Sequence, residues 1–163
     1  MKTRLELYDL FEKHKNTGVG VEVGVLHGHN AKNILDRYSG HLILVDIWEN
    51  IDDFYICQEY LKDYLHRVSF FRMSSKQAAF LFNSTSFDFV YIDAGHEFED
   101  IKNDYLSWFW KIMGDGIISG HDYSPVFPGV VKFVDLLKQN HDVKFTEGDE
   151  YEGVNYESWY YIK

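Results

Sequence analysis

Residues 87–96 read Phe-Asp-Phe-Val-Tyr-Ile-Asp-Ala-Gly-His, and this stretch decides the fold. Its first six positions are rich in aromatic and β-branched residues, and so short an apolar run is typical of a buried strand in a parallel sheet. Asp93 and His96 follow at the exit of the strand. Because ligands of open α/β sheets bind beyond the carboxyl ends of the strands, this position predicts a functional pair. The simpler alternative is that both residues only shape the turn and cap the next helix.

Strand and helix patterns alternate on both sides of this stretch. Residues 19–25, 41–48 and 68–73 predict three strands, and a helical pattern follows each of them. This βαβαβα order predicts parallel strands joined by right-handed crossovers. A fifth strand is expected at 117–120, after a turn formed by Gly114-Asp115-Gly116.

The two ends of the chain carry patterns of their own. Residues 3–15 predict an amphipathic helix, and 97–110 predict the helix that follows the central strand. Residues 143–146 and 158–162 predict an antiparallel hairpin at the edge of the sheet, with an acidic, aromatic loop at 147–157 between its strands.

The composition predicts one domain over residues 1–163, with an N-terminal helical segment at 1–17 and an α/β core at 18–163. The net charge of −10 argues against a nucleic acid or an anionic membrane as partner. Cys57 is the single cysteine, and no apolar run approaches the roughly 20 residues that span a bilayer. We therefore expect a soluble, cytoplasmic protein without disulfides.

The turn after the first strand holds Glu22, Gly24 and Gly28. Its glycines are four positions apart and follow an acid, so it differs from the dinucleotide fingerprint. A ligand with an ammonium or sulfonium group tolerates Glu22, and the glycines would let the backbone approach it closely. Asp46 ends the second strand roughly 20 residues later, where acids of nucleotide-binding α/β folds bind ribose hydroxyls. The alternatives are a ligand-free turn and a solvated loop acid.

Asp93 and Asp122 end the fourth and fifth strands, so their carboxylates can converge at one edge of the sheet. Converging acids repel unless a proton or cation lies between them, and oxygen ligands suit Mg²⁺, Ca²⁺ or Mn²⁺. A nitrogen from His121 would shift the preference toward Mn²⁺, Fe²⁺ or Zn²⁺. His96 lies beside Asp93 and is the side-chain type suited to accepting a proton near neutral pH. The alternative is a pair of unrelated strand-end acids.

In this order the motifs resemble the class I S-adenosylmethionine-dependent methyltransferases, most closely the group with macrocin-type and rhamnosyl O-methyltransferases. The likeness runs from about residue 18 to 163. The residues that carry it are Val21-Glu22-Val23-Gly24 to Gly28, Leu44-Val45-Asp46, Phe87-Asp88 to Asp93-Ala94-Gly95-His96, Asp100 to Asp104, and Gly114-Asp115-Gly116 to Gly120-His121-Asp122-Tyr123.

The resemblance implies a single Rossmann-like, doubly wound α/β sheet of seven strands in the order 3-2-1-4-5-7-6, with strand 7 antiparallel. It implies that S-adenosyl-L-methionine lies over Glu22, Gly24 and Gly28, with its ribose on Asp46. Its adenine is expected near Met73, Ser74 and Ser75.

By the same resemblance, Asp93, His121 and Asp122 would hold a divalent cation, Mg²⁺ or Mn²⁺, and His96 would be the catalytic base together with Asp93. Our hypothesis is methyl transfer from S-adenosylmethionine to a hydroxyl of a sugar or glycan, with a small-molecule or glycan acceptor as partner. The small size of the domain suggests a homodimer. The alternatives are methylation of a catechol-like aromatic and a non-catalytic cofactor-binding module. A nicotinamide oxidoreductase is disfavoured by the glycine spacing.

Overall fold

The protein is described by a computed structural model over residues 3–163. The first two residues of the predicted domain range 1–163, and of its segment 1–17, lie outside the described residues. Within residues 3–163, no helix is long and apolar enough to cross a lipid bilayer. The helices are α1 (Arg4–Lys13), α2 (His29–Leu35), α3 (Ile51–Tyr60), α4 (Ser75–Phe80), α5 (Phe98–Trp108) and α6 (Pro128–Leu137), and the strands are β1 (Val19–Val23), β2 (His41–Asp46), β3 (Val68–Arg72), β4 (Phe87–Ile92), β5 (Ile112–Tyr123), β6 (Lys144–Phe145), β7 (Asp149–Tyr151) and β8 (Val154–Ile162).

The strands form one sheet in the order β3-β2-β1-β4-β5-β8-β6. The first five are parallel, and β8 runs antiparallel to both β5 and β6. The predicted order and the antiparallel strand are therefore confirmed. The strand in that position is the eighth in sequence rather than the seventh, because β7 adds a short strand that pairs with β8 alone.

Strand β4 is buried on both faces, as expected of a central parallel strand. Val90 and Ile92 face a core formed with α4, α5 and α6, whereas Phe89 and Tyr91 face a core formed with α1, α2 and α3. Phe11 of α1 stacks on Phe89 with ring centroids 3.9 Å apart. Helices thus cover both faces of the sheet, which defines a doubly wound α/β fold.

The turn predicted at Gly114-Asp115-Gly116 is wrong, because these residues lie inside β5. A Cβ on Gly116 would come within 2.6 Å of the Asp88 carbonyl oxygen. This glycine therefore permits two strands to approach closely beside the register shift between Phe87 and Phe89, and does not reverse the chain. The adjoining helix α5 ends at Trp108, and a 3₁₀ turn replaces the last predicted residues.

The loop predicted at 147–157 is also wrong, since most of it forms a β-hairpin. β7 pairs with the first residues of β8, and the connecting Glu152 and Gly153 both have positive φ, of 50° and 77°. Positive φ at both central residues is the geometry of a type I′ turn. The usual Asn-Gly or Asp-Gly signal is absent and the residues of β7 are exposed, so neither turn chemistry nor hydrophobic alternation marked this hairpin in the sequence.

A buried carboxylate, Asp88, ties the segment before β1 to β4. Its two oxygens accept hydrogen bonds from the backbone N–H groups of Asn16 (2.9 Å), Thr17 (2.6 Å) and Gly18 (2.9 Å). The Tyr38 hydroxyl donates another at 2.8 Å. This side chain is 1% exposed, and it satisfies polar groups that connect α1 to the sheet.

We expect Asp88→Asn to lower the free energy of unfolding by about 2–4 kcal/mol, because an amide loses both the charge and one acceptor oxygen of this network. Urea denaturation monitored by circular dichroism measures the change. Asp142→Asn is the matched control, since Asp142 is 87% exposed and its removal should cost no more than about 0.5 kcal/mol. Equal stabilities of the two variants would contradict the role of Asp88.

Candidate active site

A cleft of about 660 Å³ opens at the carboxyl ends of β1 to β4. Its walls come from the loops after these strands and from one side of α5. Six of the seven residues predicted to contact a cofactor line this cleft, and Gly28 does not. The six are Glu22, Gly24, Asp46, Met73, Ser74 and Ser75.

Other parts of the protein, rather than a ligand alone, pack closely against the two glycines of the turn, and the sequence did not indicate this packing. Gly24 has a φ of 83°, and a Cβ there would lie 2.0 Å from the Asp93 carbonyl oxygen. Gly28 also has a φ of 83°, and its Cβ would lie 3.0 Å from Cys57 Sγ and from Leu61 Cδ1. Gly24 therefore lets β1 end against β4, and Gly28 lets α3 pack on the start of α2.

Glu22 lies fully buried at the floor of the cleft. Asn30 Nδ2 donates to its Oε1 at 2.9 Å, while Oε2 is buried without a hydrogen-bond partner. Burial raises the pKa of Glu22 to about 8, against the opposing effect of the Asn30 hydrogen bond. The Tyr8 hydroxyl of α1 donates to Asn30 Oδ1 and so orients this amide. A cation or an N–H group of a ligand would satisfy the unpaired oxygen.

Asp46 holds the two loops that form the mouth of the cleft. Its Oδ2 accepts from the backbone N–H groups of Val25 (2.8 Å) and Leu26 (2.9 Å), and its Oδ1 accepts from that of Trp48 (2.8 Å). Leu26 and Trp48 have positive φ values of 48° and 39°, an uncommon conformation outside glycine. Asp46 therefore shapes the walls of the cleft and is itself one of the residues that line the cavity.

The far end of the cleft contains acids of α5 that sequence reasoning missed as site residues. Asp100 and Asp104 line the cavity together with Ser74 and Ser75. Burial raises the pKa of Asp104 to about 6, although a hydrogen bond with Ser75 opposes the shift. The spacing of Asp100 and Asp104, four residues apart on one helix, was the available signal. Ser74 also caps α4 in a capping box with Gln77.

The predicted metal residues do come together beside this cleft. One ligand atom from each of Asp93, His121 and Asp122 lies within 4.8 Å of the other two. His121 Nδ1 is 3.0 Å from Asp122 Oδ1 and 3.8 Å from Asp93 Oδ1. Two carboxylate oxygens and one imidazole nitrogen form a donor set that suits a divalent cation such as Mn²⁺.

His96 completes the cluster on its outer side. Its Nε2 lies 2.7 Å from Asp122 Oδ2, and its ring stacks on Phe127 with centroids 4.0 Å apart and planes 14° from parallel. Asp122 has a φ of 61°, so the backbone turns sharply where this carboxylate contacts both histidines. The aromatic stack and the contact with Asp122 fix the orientation of an imidazole that is 43% exposed.

The environments of the two acids push their ionisation in opposite directions. Burial raises the pKa of Asp93 to about 6; the charge of His121 opposes the shift, and that of Asp122 adds to it. Burial acts in the same direction on Asp122, but hydrogen bonding and charge from His121 and His96 outweigh it and lower the pKa of this carboxyl. Asp122 is therefore the acid that stays ionised between the two imidazoles.

The sheet order, its antiparallel strand and the cleft over the first glycine turn define the class I methyltransferase fold. A family model described as a methyltransferase domain matches residues 21–123. The chain therefore belongs to this methyltransferase family. No curated protein matches the chain in sequence.

Solved structures of the same fold include proteins with bound cofactor or cofactor product. SMU.1697c of Streptococcus mutans, in complex with SAH, has a TM-score of 0.75 at 13% identity, with 100% of this chain and 99% of that chain covered. An rRNA methylase of Streptococcus thermophilus has a TM-score of 0.77 at 10% identity, covering 100% and 98%. The O-methyltransferase TomG of Streptomyces achromogenes, involved in tomaymycin synthesis and solved with SAM, has a TM-score of 0.73 at 14% identity, covering 98% and 78%.

We expect Glu22→Gln to stabilise the ligand-free protein above neutral pH. The raised pKa means that, between about pH 4.5 and 8, the folded state keeps a proton that the unfolded state has lost, so stability falls as the pH rises. Glutamine removes this ionisation. The gain in unfolding free energy should be on the order of 3 kcal/mol at pH 8 and small near pH 5.

Urea denaturation at both pH values measures this gain. Glu49→Gln is the control, because Glu49 is exposed in the loop after β2 and carries the same charge. A gain from Glu22→Gln that is equal at both pH values would contradict the buried, raised-pKa carboxyl.

Proposed function

We propose that this S-adenosylmethionine-dependent methyltransferase methylates a hydroxyl group, that of a sugar or glycan, with a divalent cation and a histidine base. The observation that carries the proposal is the cluster of Asp93, His121, Asp122 and His96 at the edge of the cleft. Transfer from a sulfonium donor needs little activation of the donor, so the protein must align the acceptor oxygen and remove its proton.

The cleft supports S-adenosylmethionine as the donor. Glu22 and Gly24 would hold its amino-acid part, with Gly28 shaping the turn from behind. The unpaired Glu22 oxygen suits a ligand that carries positive charge or N–H groups. Asp46 would bind the ribose. The adenine would lie at the end lined by Met73, Ser74 and Ser75.

Asp93, His121 and Asp122 would hold a divalent cation, whose chemistry is to lower the pKa of a bound hydroxyl. The imidazole nitrogen of His121 favours Mn²⁺ over Mg²⁺ in this set. Because these three residues lie beside the cleft, a cation bound to them would bring an acceptor oxygen to the cofactor. Asp93 belongs to the cluster and also lines the cleft.

His96 would accept the acceptor's proton at Nδ1. A carboxylate oxygen can only accept a hydrogen bond, so the 2.7 Å contact with Asp122 places the proton of neutral His96 on Nε2. Nδ1 is then the basic nitrogen. The two nitrogens exchange roles relative to the His–Asp pair of hydrolases, in which the carboxylate contacts Nδ1 and Nε2 is the base. Asp122 would stabilise the imidazolium that forms.

We expect His96→Ala and Asp93→Asn to lower turnover at least about a hundredfold, because each removes a group that acts on the acceptor proton or its oxygen. The dissociation constant for S-adenosylmethionine should change less than about threefold, or roughly 0.6 kcal/mol. Calorimetric titration and a radiolabelled methyl-transfer assay measure the two quantities. His66→Ala, which removes an exposed histidine, is the control. Loss of cofactor binding in both variants would overturn the assigned roles.

A catechol-like acceptor is the second candidate, because the Phe127 ring stacks on His96 and the Tyr156 ring lies 6.0 Å from that of Phe127. A panel of glycosides and diphenols, tested with and without Mn²⁺, separates the two. We expect methylated glycosides and a loss of activity on chelation. Product from diphenols alone would favour the second candidate, and cofactor binding without any product would favour a non-catalytic module.

We further propose that the protein is cytoplasmic and forms a homodimer. Its partners would include neither a membrane nor a nucleic acid. The net charge of −10 supports the exclusion of RNA, since it repels a phosphate backbone. Methyl transfer to RNA, tested beside the glycosides and diphenols, would contradict this exclusion.

A further inference from the structure

The second nitrogen of His121 faces a carboxylate outside the cluster. Nδ1 points at Asp93 and Asp122, whereas Nε2 is buried and makes no hydrogen bond. Asp149 Oδ2 lies 3.9 Å from Nε2, an ion-pair distance that is too long for a hydrogen bond. The His121 side chain is only 12% exposed, so Nε2 is shielded from solvent while Asp149 faces it.

Asp149 is itself held from the opposite end of the chain. Arg4 of α1 forms an ion pair with Asp149 Oδ2, and its guanidinium also contacts the buried Tyr91 hydroxyl. The Arg4 side chain is 25% exposed and that of Asp149 is 53% exposed. Both residues lie outside the segment 21–123 that matches the methyltransferase family. The contact to His121 is therefore built from elements that flank the matched core.

We propose that Asp149 is a positioning residue for His121, and that Arg4 holds it in place; this inference rests on the proposed cation site. A metal-ligating imidazole directs its second N–H at a carboxylate, carbonyl or water, which fixes the ring and raises the basicity of the ligating nitrogen. Asp149 faces that second nitrogen at an ion-pair distance of 3.9 Å, on the side of the ring away from Asp93 and Asp122, where a small side-chain movement would bring it within hydrogen-bond reach. It is therefore not a further ligand of an ion held by those two acids.

The arrangement also gives a distinct expectation for metal preference. His121 contributes the only nitrogen of the donor set. Nitrogen ligation favours Mn²⁺ over Mg²⁺, which prefers oxygen. Without Asp149 the imidazole can rotate away from the cluster, which leaves only the two carboxylates as ligands. The loss of affinity should therefore be larger for Mn²⁺ than for Mg²⁺.

The test is calorimetric titration of the folded protein with MnCl₂ and MgCl₂, without cofactor or acceptor. We expect Asp149→Asn to weaken Mn²⁺ binding about tenfold and to change Mg²⁺ binding less. Tenfold is the lower end of the range for carboxylates that orient a metal-ligating histidine, and we expect this end because Asp149 is half exposed. Glu150→Gln removes the same charge from the next residue of the hairpin and should leave both affinities unchanged. Asp149→Glu, which keeps the carboxylate, should recover part of the lost Mn²⁺ affinity.

Equal Mn²⁺ affinities of Asp149→Asn and the wild type would overturn this inference alone. The same conclusion follows if Glu150→Gln weakens binding as much, because the effect would then be one of general charge. If the wild type binds neither ion, the cation part of the proposed function fails together with this inference. Circular dichroism and thermal melting confirm that each variant is folded before titration.

Discussion

The contact between the glycine turn and the end of β4 is the constraint on which the site depends. The Asp93 N–H donates to the Val23 carbonyl at 2.7 Å, and the Gly24 N–H donates to the Val45 carbonyl at 2.9 Å. These bonds end three neighbouring strands at one level. A side chain at Gly24 would collide with the backbone at Asp93 and separate the cleft from the acid cluster. The cleft and the acid cluster adjoin because this position carries no Cβ.

Much of the architecture could be predicted from the sequence. The buried strand at 87–92, the alternation of strands and helices, and the antiparallel strand near the C-terminus follow from periodicity and from the family likeness. The strand-end acids Asp93 and Asp122 also meet as expected, because the topology of a parallel sheet brings such positions together whatever their distance in sequence.

The sequence could not show contacts between residues that are far apart in the chain and belong to no recognisable motif. Asp88 reads as a polar interruption in a strand, yet it binds a segment about 70 residues earlier. Tyr8 and Asn30 carry no motif, yet they orient the buried Glu22. The glycine at 116 suggested a turn that does not exist, because Gly116 instead allows two strands to pack closely. Periodicity reports which face is buried, but it does not report which polar groups pair there.

The packing of Gly28 against Cys57 has a chemical consequence for the single thiol. Cys57 is fully buried, and burial raises its pKa to about 12, so the thiolate is scarcely populated at neutral pH. The native protein should therefore resist alkylating and oxidising reagents. Any modification of Cys57 would require α3 to separate from the start of α2. The rate at which a thiol reagent labels Cys57 therefore reports how readily the helices beside the cleft separate.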